Sequence, residues 1–539
     1  MPQTFPVSVV LRCLARPRLG HVALLVGLAL SLGVSLGAQA ATTWTVCASG
    51  CDYTSIKAAI AASTTLNGDT LAIAAGVYTE PGIAVNKSLT LQGEDAATTI
   101  VQAATTRGTA TDRVFTIPRG VSVILRALTI RYGHVSYDDG GGIYSSGKLT
   151  LTHSIISGNS GAYYGGGLYN NAGTLTLTHS IISGNSGAYY GGGLYNDAGT
   201  LTLTHSTVRG NSATYAGGGL YSSGTLTLTH STVRGNSAAY YGGGLYGYGT
   251  LTLTHSTVRG NSAAYGGGLN TNYGTLTLTH STISDNIAAA GGGLHQSGGR
   301  LTLTASLVAQ NADGGDCRLY VTSSRSQGYN LDSDGSCELT ASTDRPGVDP
   351  LLGPLQDNGG RTLTHALLPG SPAIDAIPWG TNGCGTTLYS DQRWQARPQP
   401  VGGACDIGAY EVEVTGPPLA AWVAGLTPQT AVCENVTTGQ EVTLSGPASP
   451  WDCEAAGLAV SAGDQVRLHV QGPVTPGAVD VGGAVVRMAP NGGGCTNLTT
   501  GQQVTFQRVQ GATAASCVAA GLKVQPGDTV QIQVQGAAE

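Results

Sequence analysis

GGGLYNDAGTLTLTHSTVRGNSATYA, residues 191–216, is followed at Gly217 by GGGLYSSGTLTLTHSTVRGNSAAYY, and this pattern recurs seven times between Gly140 and Asn311 with a period of 24 to 26 residues. A repeat of that length, with a triple glycine at one corner and Leu alternating with Thr, fits one turn of a parallel β-solenoid. The Thr-Leu-Thr-Leu-Thr stretch has a period of two. It therefore turns Leu175, Leu177, Leu201, Leu203, Leu226, Leu228, Leu251 and Leu253 inward and the threonines outward. Asn159, Asn185, Asn211, Asn236, Asn261, Asn286 and Asn311 recur at one corner. Stacked at the strand spacing of about 4.8 Å, their amides are expected to bond from coil to coil.

Working outward, residues 41–104 read as an N-terminal cap with the first coils. The apolar stretch from Tyr53 to Ala62 is a short helix with Ser55 as N-cap, placed to cover an open sheet edge. Residues 105–311 hold the coils, first irregular and then regular. Residues 312–413 form a terminal segment, and GPP after Glu413 is a linker. Two related units follow, at 414–479 and 480–539. CENVTTGQEVTL aligns with CTNLTTGQQVTF, and GDQVRLHVQG with GDTVQIQVQG, so the chain ends in two small disulfide-stapled β-sandwich-like modules. The chain is all-β.

The 539 residues include 82 glycines, only 10% charged residues and a formal net charge of -6. That balance excludes a basic nucleic-acid-binding surface and fits an extended β-protein. Arg12, Arg16 and Arg18 precede an apolar run from Val22 to about Gly37 and then Ala38-Gln39-Ala40. Residues 1–40 read as a secretory signal peptide, so the mature chain is expected to be secreted or at the cell surface, with no transmembrane span after cleavage. Beyond Cys13 the cysteines fall in five close pairs: Cys47 with Cys51, Cys317 with Cys337, Cys384 with Cys405, Cys433 with Cys453, and Cys495 with Cys517. In an exported chain these read as local disulfides; no CxxC and no paired His supports zinc.

GGGLY, LTLTHS and GNS together resemble the right-handed parallel β-helix repeats of the pectin-lyase-like superfold, in the variant found in polymorphic outer-membrane-protein repeats of bacterial surface proteins. GYNLDSDGSC, DPLLGPLQDNGG, THALLPGSPAIDA, DQR and CDIGAYE resemble the terminal segment of the choice-of-anchor Q family of secreted bacterial β-helix proteins, which assigns that type to residues 312–413. The resemblance covers roughly residues 42 to 411. It implies an exported, surface-associated right-handed β-helix and carries no activity with it.

Lyases of that superfold need a carboxylate cluster for calcium and a Lys or Arg base, and hydrolases need paired carboxylates. From Lys148 to Asn311 the charged residues are Lys148, Asp197, Arg209, Arg234, Arg259, Asp285 and Arg300, with no Glu. No such cluster can be assembled there. The charge-dense patch of the helix is RYGHVSYDDG, which offers Arg131, His134, Asp138 and Asp139 as catalytic candidates beside Tyr137. Asp332 and Asp334 form a DxDG fragment, where calcium is the one ion weighed; otherwise no cofactor is expected.

The outward columns offer binding instead. Arg209, Arg234 and Arg259 stand on consecutive coils with no acidic column beside them, and could hold a carboxylate or sulfate. Tyrosines flank the triple glycine: Tyr144, Tyr169, Tyr195, Tyr221 and Tyr246 after it, Tyr164, Tyr190, Tyr215, Tyr241 and Tyr265 before it. Tyr195, Tyr221 and Tyr246 are read as a sugar platform. His153, His179, His205, His230, His255 and His280 form a column that reads as a structural corner, because rings stacked face over face do not converge on a metal. The expectation is a monomeric, non-catalytic adhesion or glycan-binding protein with glycans or cell-surface components as partners. The alternatives are a polysaccharide lyase or glycoside hydrolase, and a Thr-array ice binder built on rows such as Thr252 and Thr254.

Overall fold

The computed structural model describes residues 40–413, apart from Ala188, Val321, Thr322 and residues 400–402, together with strand segments between 420 and 538. The signal segment, the GPP linker, Cys453 and Cys517 lie outside the described residues.

One coil shows how the sequence folds. Leu194–Asp197, Thr200–Thr204, Thr207–Arg209 and Ser212–Ala213 are successive strands, and each pairs in parallel with its equivalent one coil on. Repetition builds two twelve-stranded sheets, one ten-stranded sheet and one of four short strands. Leu201, Leu203, Val208 and Leu194 face inward, fully buried, and their equivalents continue the core along the axis. Alternation thus delivers the expected Leu-in, Thr-out arrangement.

The triple glycine has two separate causes. Gly217 takes φ +66°, the left-handed region that an L side chain resists, and a Cβ on Gly218 or Gly219 would lie 2.2 Å or 2.6 Å from a carbonyl oxygen of the next coil. The asparagine ladder forms inside. Asn211 Nδ2 donates to Asn236 Oδ1 at 2.9 Å and to the Ile182 carbonyl at 3.0 Å, and its backbone N–H reaches the same Oδ1 at 3.0 Å.

At the N-terminal end the helix Ile56–Ala61 buries Ile56, Ala59 and Ile60 against the first coils. Ser55 caps it through Ala58 N, and the Glu80 carboxylate accepts from Ile56 N and Lys57 N, both at 2.9 Å.

The terminal segment does not simply extend the stack. Parallel pairing ends at Arg345–Pro346, after which Leu352–Gln356 and Thr364–Leu367 form an antiparallel hairpin. The chain then returns along the solenoid: Gln392 bonds Thr257 and Thr232, and Gly408 N and Ala409 N donate to Ala305 O and Thr282 Oγ1. Two fully buried ion pairs fix this returning chain, Arg393 with Asp391 and Arg397 with Glu411, each at 2.8 Å. Disulfides join Cys47 to Cys51, Cys317 to Cys337 and Cys384 to Cys405 as expected; Cys433 and Cys495 are also bridged.

The two C-terminal repeats pair with each other. Gln465–Pro473 runs antiparallel to Thr529–Ala538, its counterpart, in a six-stranded sheet, and Ala420–Ala424 pairs with Gly482–Val485 in a four-stranded one. His469 lies opposite Gln533, the residue at its own place in the other repeat, so a pseudo-twofold axis passes between them.

Candidate functional site

The arginine column and the tyrosine columns stand on either side of one corner of the coil. That corner is at Gly-Asn: the strand Thr207–Arg209 ends, Gly210 takes φ +59° and Ser212–Ala213 begins. The exposed side chains of that stretch are Arg209, Ser212, Thr214 and Tyr215. One coil on Ser237 and Tyr240 are exposed and Arg234 is half-buried, and on the next coil Tyr265 is exposed while Arg259 and Ser262 are half-buried.

Three tyrosine columns run here. Tyr144, Tyr169, Tyr195, Tyr221 and Tyr246 lie in register on the ten-stranded sheet, with Tyr195 and Tyr221 stacked at 4.4 Å between ring centroids. They lie beneath the other two rows: Tyr221 and Tyr246 are buried against Tyr190 and Tyr241. Burial pushes the phenols of Tyr195, Tyr221 and Tyr246 well up, so they stay neutral. What a ligand meets is the row Tyr163, Tyr189, Tyr215, Tyr240, whose exposure runs from 36% at Tyr215 to 50% at Tyr240. Tyr163 and Tyr189 stack at 5.9 Å and 9°. Sequence reading missed Tyr163, Tyr189 and Tyr240. The doublet in GAYYGGG was the available signal, since two adjacent residues before a tight corner cannot share a side.

Arg209, Arg234 and Arg259 are direct partners across neighbouring strands. Arg259 is neutralised by a residue not weighed beside it: its Nε contacts Asp285 Oδ2 at 2.8 Å. Arg234 has no such relief. Partial burial first, and then its two arginine neighbours, lower its pKa, and its Nε is buried without a hydrogen-bond partner. The middle of the row is therefore the place where an anion gains most.

The patch around Arg131 is knitted into structure. Arg131 Nε donates to Gln102 Oε1 at 2.9 Å, and its guanidinium lies over the Tyr132 ring. His134 contacts Ser160 Oγ at 2.7 Å and Ser136 Oγ at 3.2 Å, one through each ring nitrogen. Asp138 is paired with Arg113; Asp139 accepts from Tyr164 N at 3.1 Å, and burial raises its pKa. Asp332 and Asp334 spend their oxygens on the chain itself: Asp332 accepts from Cys337 N and Gly347 N, Asp334 from Ser336 N and Asp316 N. Among the described residues no three His, Cys, Asp or Glu side chains are placed to hold a metal ion.

The histidines stack as a corner column with centroid spacings of 4.8 to 5.5 Å, each in the left-handed region with φ between 42° and 50°.

Residues 118–263 match the family model described as right handed beta helix region. A search of curated protein sequences finds no match. Among solved structures the chain is similar to pectate lyase Pel9A at 13% identity and a TM-score of 0.41, covering 70% of this chain and 97% of that one. It is similar to the pectin methylesterase of carrot at 14% and 0.30, covering 56% and 89%. It is also similar to the enzymatically active domain of bacteriophage CBA120 tailspike protein 2 at 11% and 0.31, covering 87% and 76%. The family match spans the regular coils and gives the solenoid its hand: the repeat array is a right-handed parallel β-helix.

Proposed function

We propose that the chain is an exported, non-catalytic protein of the cell surface or extracellular space that adheres to glycans. The observation that carries this reading is that an arginine column and the outer tyrosine column flank one corner on successive coils, Arg209 with Tyr215 and Arg234 with Tyr240, while Tyr265 on the Arg259 coil belongs to the inner row of Tyr241. A guanidinium holds a carboxylate or sulfate bidentately while a phenol face packs on a sugar ring, and repetition along the axis suits a polymer. The apolar leader at residues 1–40 and the local disulfides support export. The likeness to outer-membrane-protein repeats and to choice-of-anchor Q segments belongs to the same reading. The lyase or hydrolase alternative is weakened because His134, Asp138 and Asp139 are all engaged.

The test is a glycan array of neutral, uronate and sulfated polymers. Retention is expected on the acidic ones, falling with salt. Arg234→Ala should weaken it about tenfold or more, since a charge-assisted hydrogen bond contributes roughly 1.5–3 kcal/mol. Retention on no glycan overturns the reading, and turnover of a uronate polymer that Asp139→Ala abolishes favours the enzyme.

The Thr-array alternative has its own support. Thr176, Thr202, Thr227 and Thr252 are direct partners on successive coils, with the column Thr178, Thr204, Thr229, Thr254 beside them. β-Branched side chains in register fix their hydroxyls on a grid of about 4.8 by 6.6 Å. A thermal-hysteresis measurement decides it.

A further inference from the structure

The histidine column is covered over part of its length by the returning terminal segment, and the contact at His205 selects an uncharged ring. The Trp394 indole N–H donates to His205 Nε2, so that nitrogen is an acceptor and carries no proton. His280 Nε2 donates to the Asn382 carbonyl at 3.0 Å, His230 Nε2 faces Ser390 Oγ at 3.5 Å, and His255 Nδ1 lies 3.3 Å from His230 Nε2. The other ring nitrogen of His205, His255 and His280, and Nδ1 of His230, is buried without a partner. A cationic imidazole has two N–H donors to satisfy. At His205 the second would point at the indole N–H, donor against donor. The ring centroids also lie 4.9 to 5.5 Å apart, so charges would accumulate along the column.

We infer that residues 379–397 are an acid-released strap: neutral imidazoles hold it on the solenoid, and protonation of the column detaches it while the coils remain folded. The strap carries no carboxylate against the rings that could compensate. The charged groups acting on the column are Arg361, Arg397 and the neighbouring histidines, all of which disfavour imidazolium. Asp391 is bound to Arg393, and Glu411 to Arg397. The Cys384–Cys405 bridge keeps the strap tethered.

Burial first, and then neighbouring positive charge, lowers the histidine pKa from 6.5 to about 4 at His205 and about 3 at His230, and the same causes hold it well below its ordinary value at the fully buried His255 and His280. The sign follows. The docked state binds fewer protons than the released one, so docking is fully favoured above pH 6.5 and weakens as pH falls through about 4 and about 3. Release uncovers Thr257, which shares a strand with Arg259, while Thr232 keeps its bond to the Leu363 carbonyl. If the glycan reading holds, acid therefore widens that flank; the strap itself is tested without any ligand.

The experiment is fluorine NMR of the full chain labelled with 5-fluorotryptophan, the Trp394 signal assigned by its loss in Trp394→Phe. The expected result is a shift of that signal below about pH 5, reporting loss of the indole contacts to His205 and His230, with the far-ultraviolet circular dichroism of the coils unchanged. Replacing His205, His230, His255 and His280 by Asn, which tolerates the left-handed corner and cannot take a proton, should remove the transition. An unchanged signal down to pH 3, or a shift that coincides with loss of the β-sheet signal, overturns the strap. So does a transition that persists in the Asn variant, which would assign it to the carboxylates. Should that variant fail to fold, titration of the wild-type imidazole signals decides: they must move together with the Trp394 signal.

Discussion

Two polar columns climb the repeat array, one at each end of the short strand typified by Thr207–Arg209, and they solve the same problem differently. At the Asn corner each side chain turns inward and every amide is satisfied by the next coil and a core carbonyl. At the His corner each ring lies outside, stacked on its neighbour, with nitrogens left bare. Both groups carry a donor nitrogen and an acceptor atom. An amide placed edge-on to the axis aims its donor at the next acceptor under simple translation. A ring stacked face-on aims both nitrogens sideways, where another part of the chain meets them at His205 and His280, and only between His230 and His255, where the rings tilt, do neighbours meet each other. Geometry under translation, more than chemistry, decides which column is self-sufficient.

Asn236→Ala strikes the self-sufficient column. It leaves the Asn211 backbone N–H and one of the two Asn211 Nδ2 hydrogens without an acceptor in the core, and takes the side-chain donor from the Val208 carbonyl. A stability loss of roughly 2–6 kcal/mol is expected at 1–3 kcal/mol for each of the two orphaned N–H groups, read as a shift of the urea midpoint. A loss below about 1 kcal/mol would erase the distinction between the columns. His255→Ala comes next. It opens a void beneath the strap but also removes buried nitrogens, one of them bare, so roughly 1–2 kcal/mol is expected. A loss equal to that of Asn236→Ala would show the stacked rings to be as tightly bound as the amides. His153→Asn, at the exposed end of the column with φ 50°, should change stability by no more than about 0.5 kcal/mol, because Asn tolerates that conformation. A clear destabilisation there would mean that ring stacking alone holds the corner.

The Asn column was legible because burial and period coincide: one polar residue per coil at an inward position can only be a ladder. The Leu and Thr columns were legible through alternation. The His column was recognised as a corner, but its cover was not, since Trp394 meets His205 across 189 residues and no local pattern encodes that. Tyr195, Tyr221 and Tyr246 were read as a platform because sequence gives their spacing and not their depth; the doublet next to the triple glycine lies over them. Asp332 and Asp334 look like ligands in one dimension. In three they brace a loop closed by Cys317–Cys337.

The returning segment divides the array into two lengths with different freedom to grow. A coil duplicated ahead of Thr200 lengthens the solenoid by about 4.8 Å and adds one member to each column, while every contact from Thr362, Gln392, Trp394 and Ala409 keeps its partner. The same duplication between His205 and Thr282 would slide those partners apart by one coil, beyond what a segment fixed by buried ion pairs and a disulfide can follow. Unequal recombination, the usual way in which tandem repeats change number, is therefore free to act on one half of this protein and is held in check on the other.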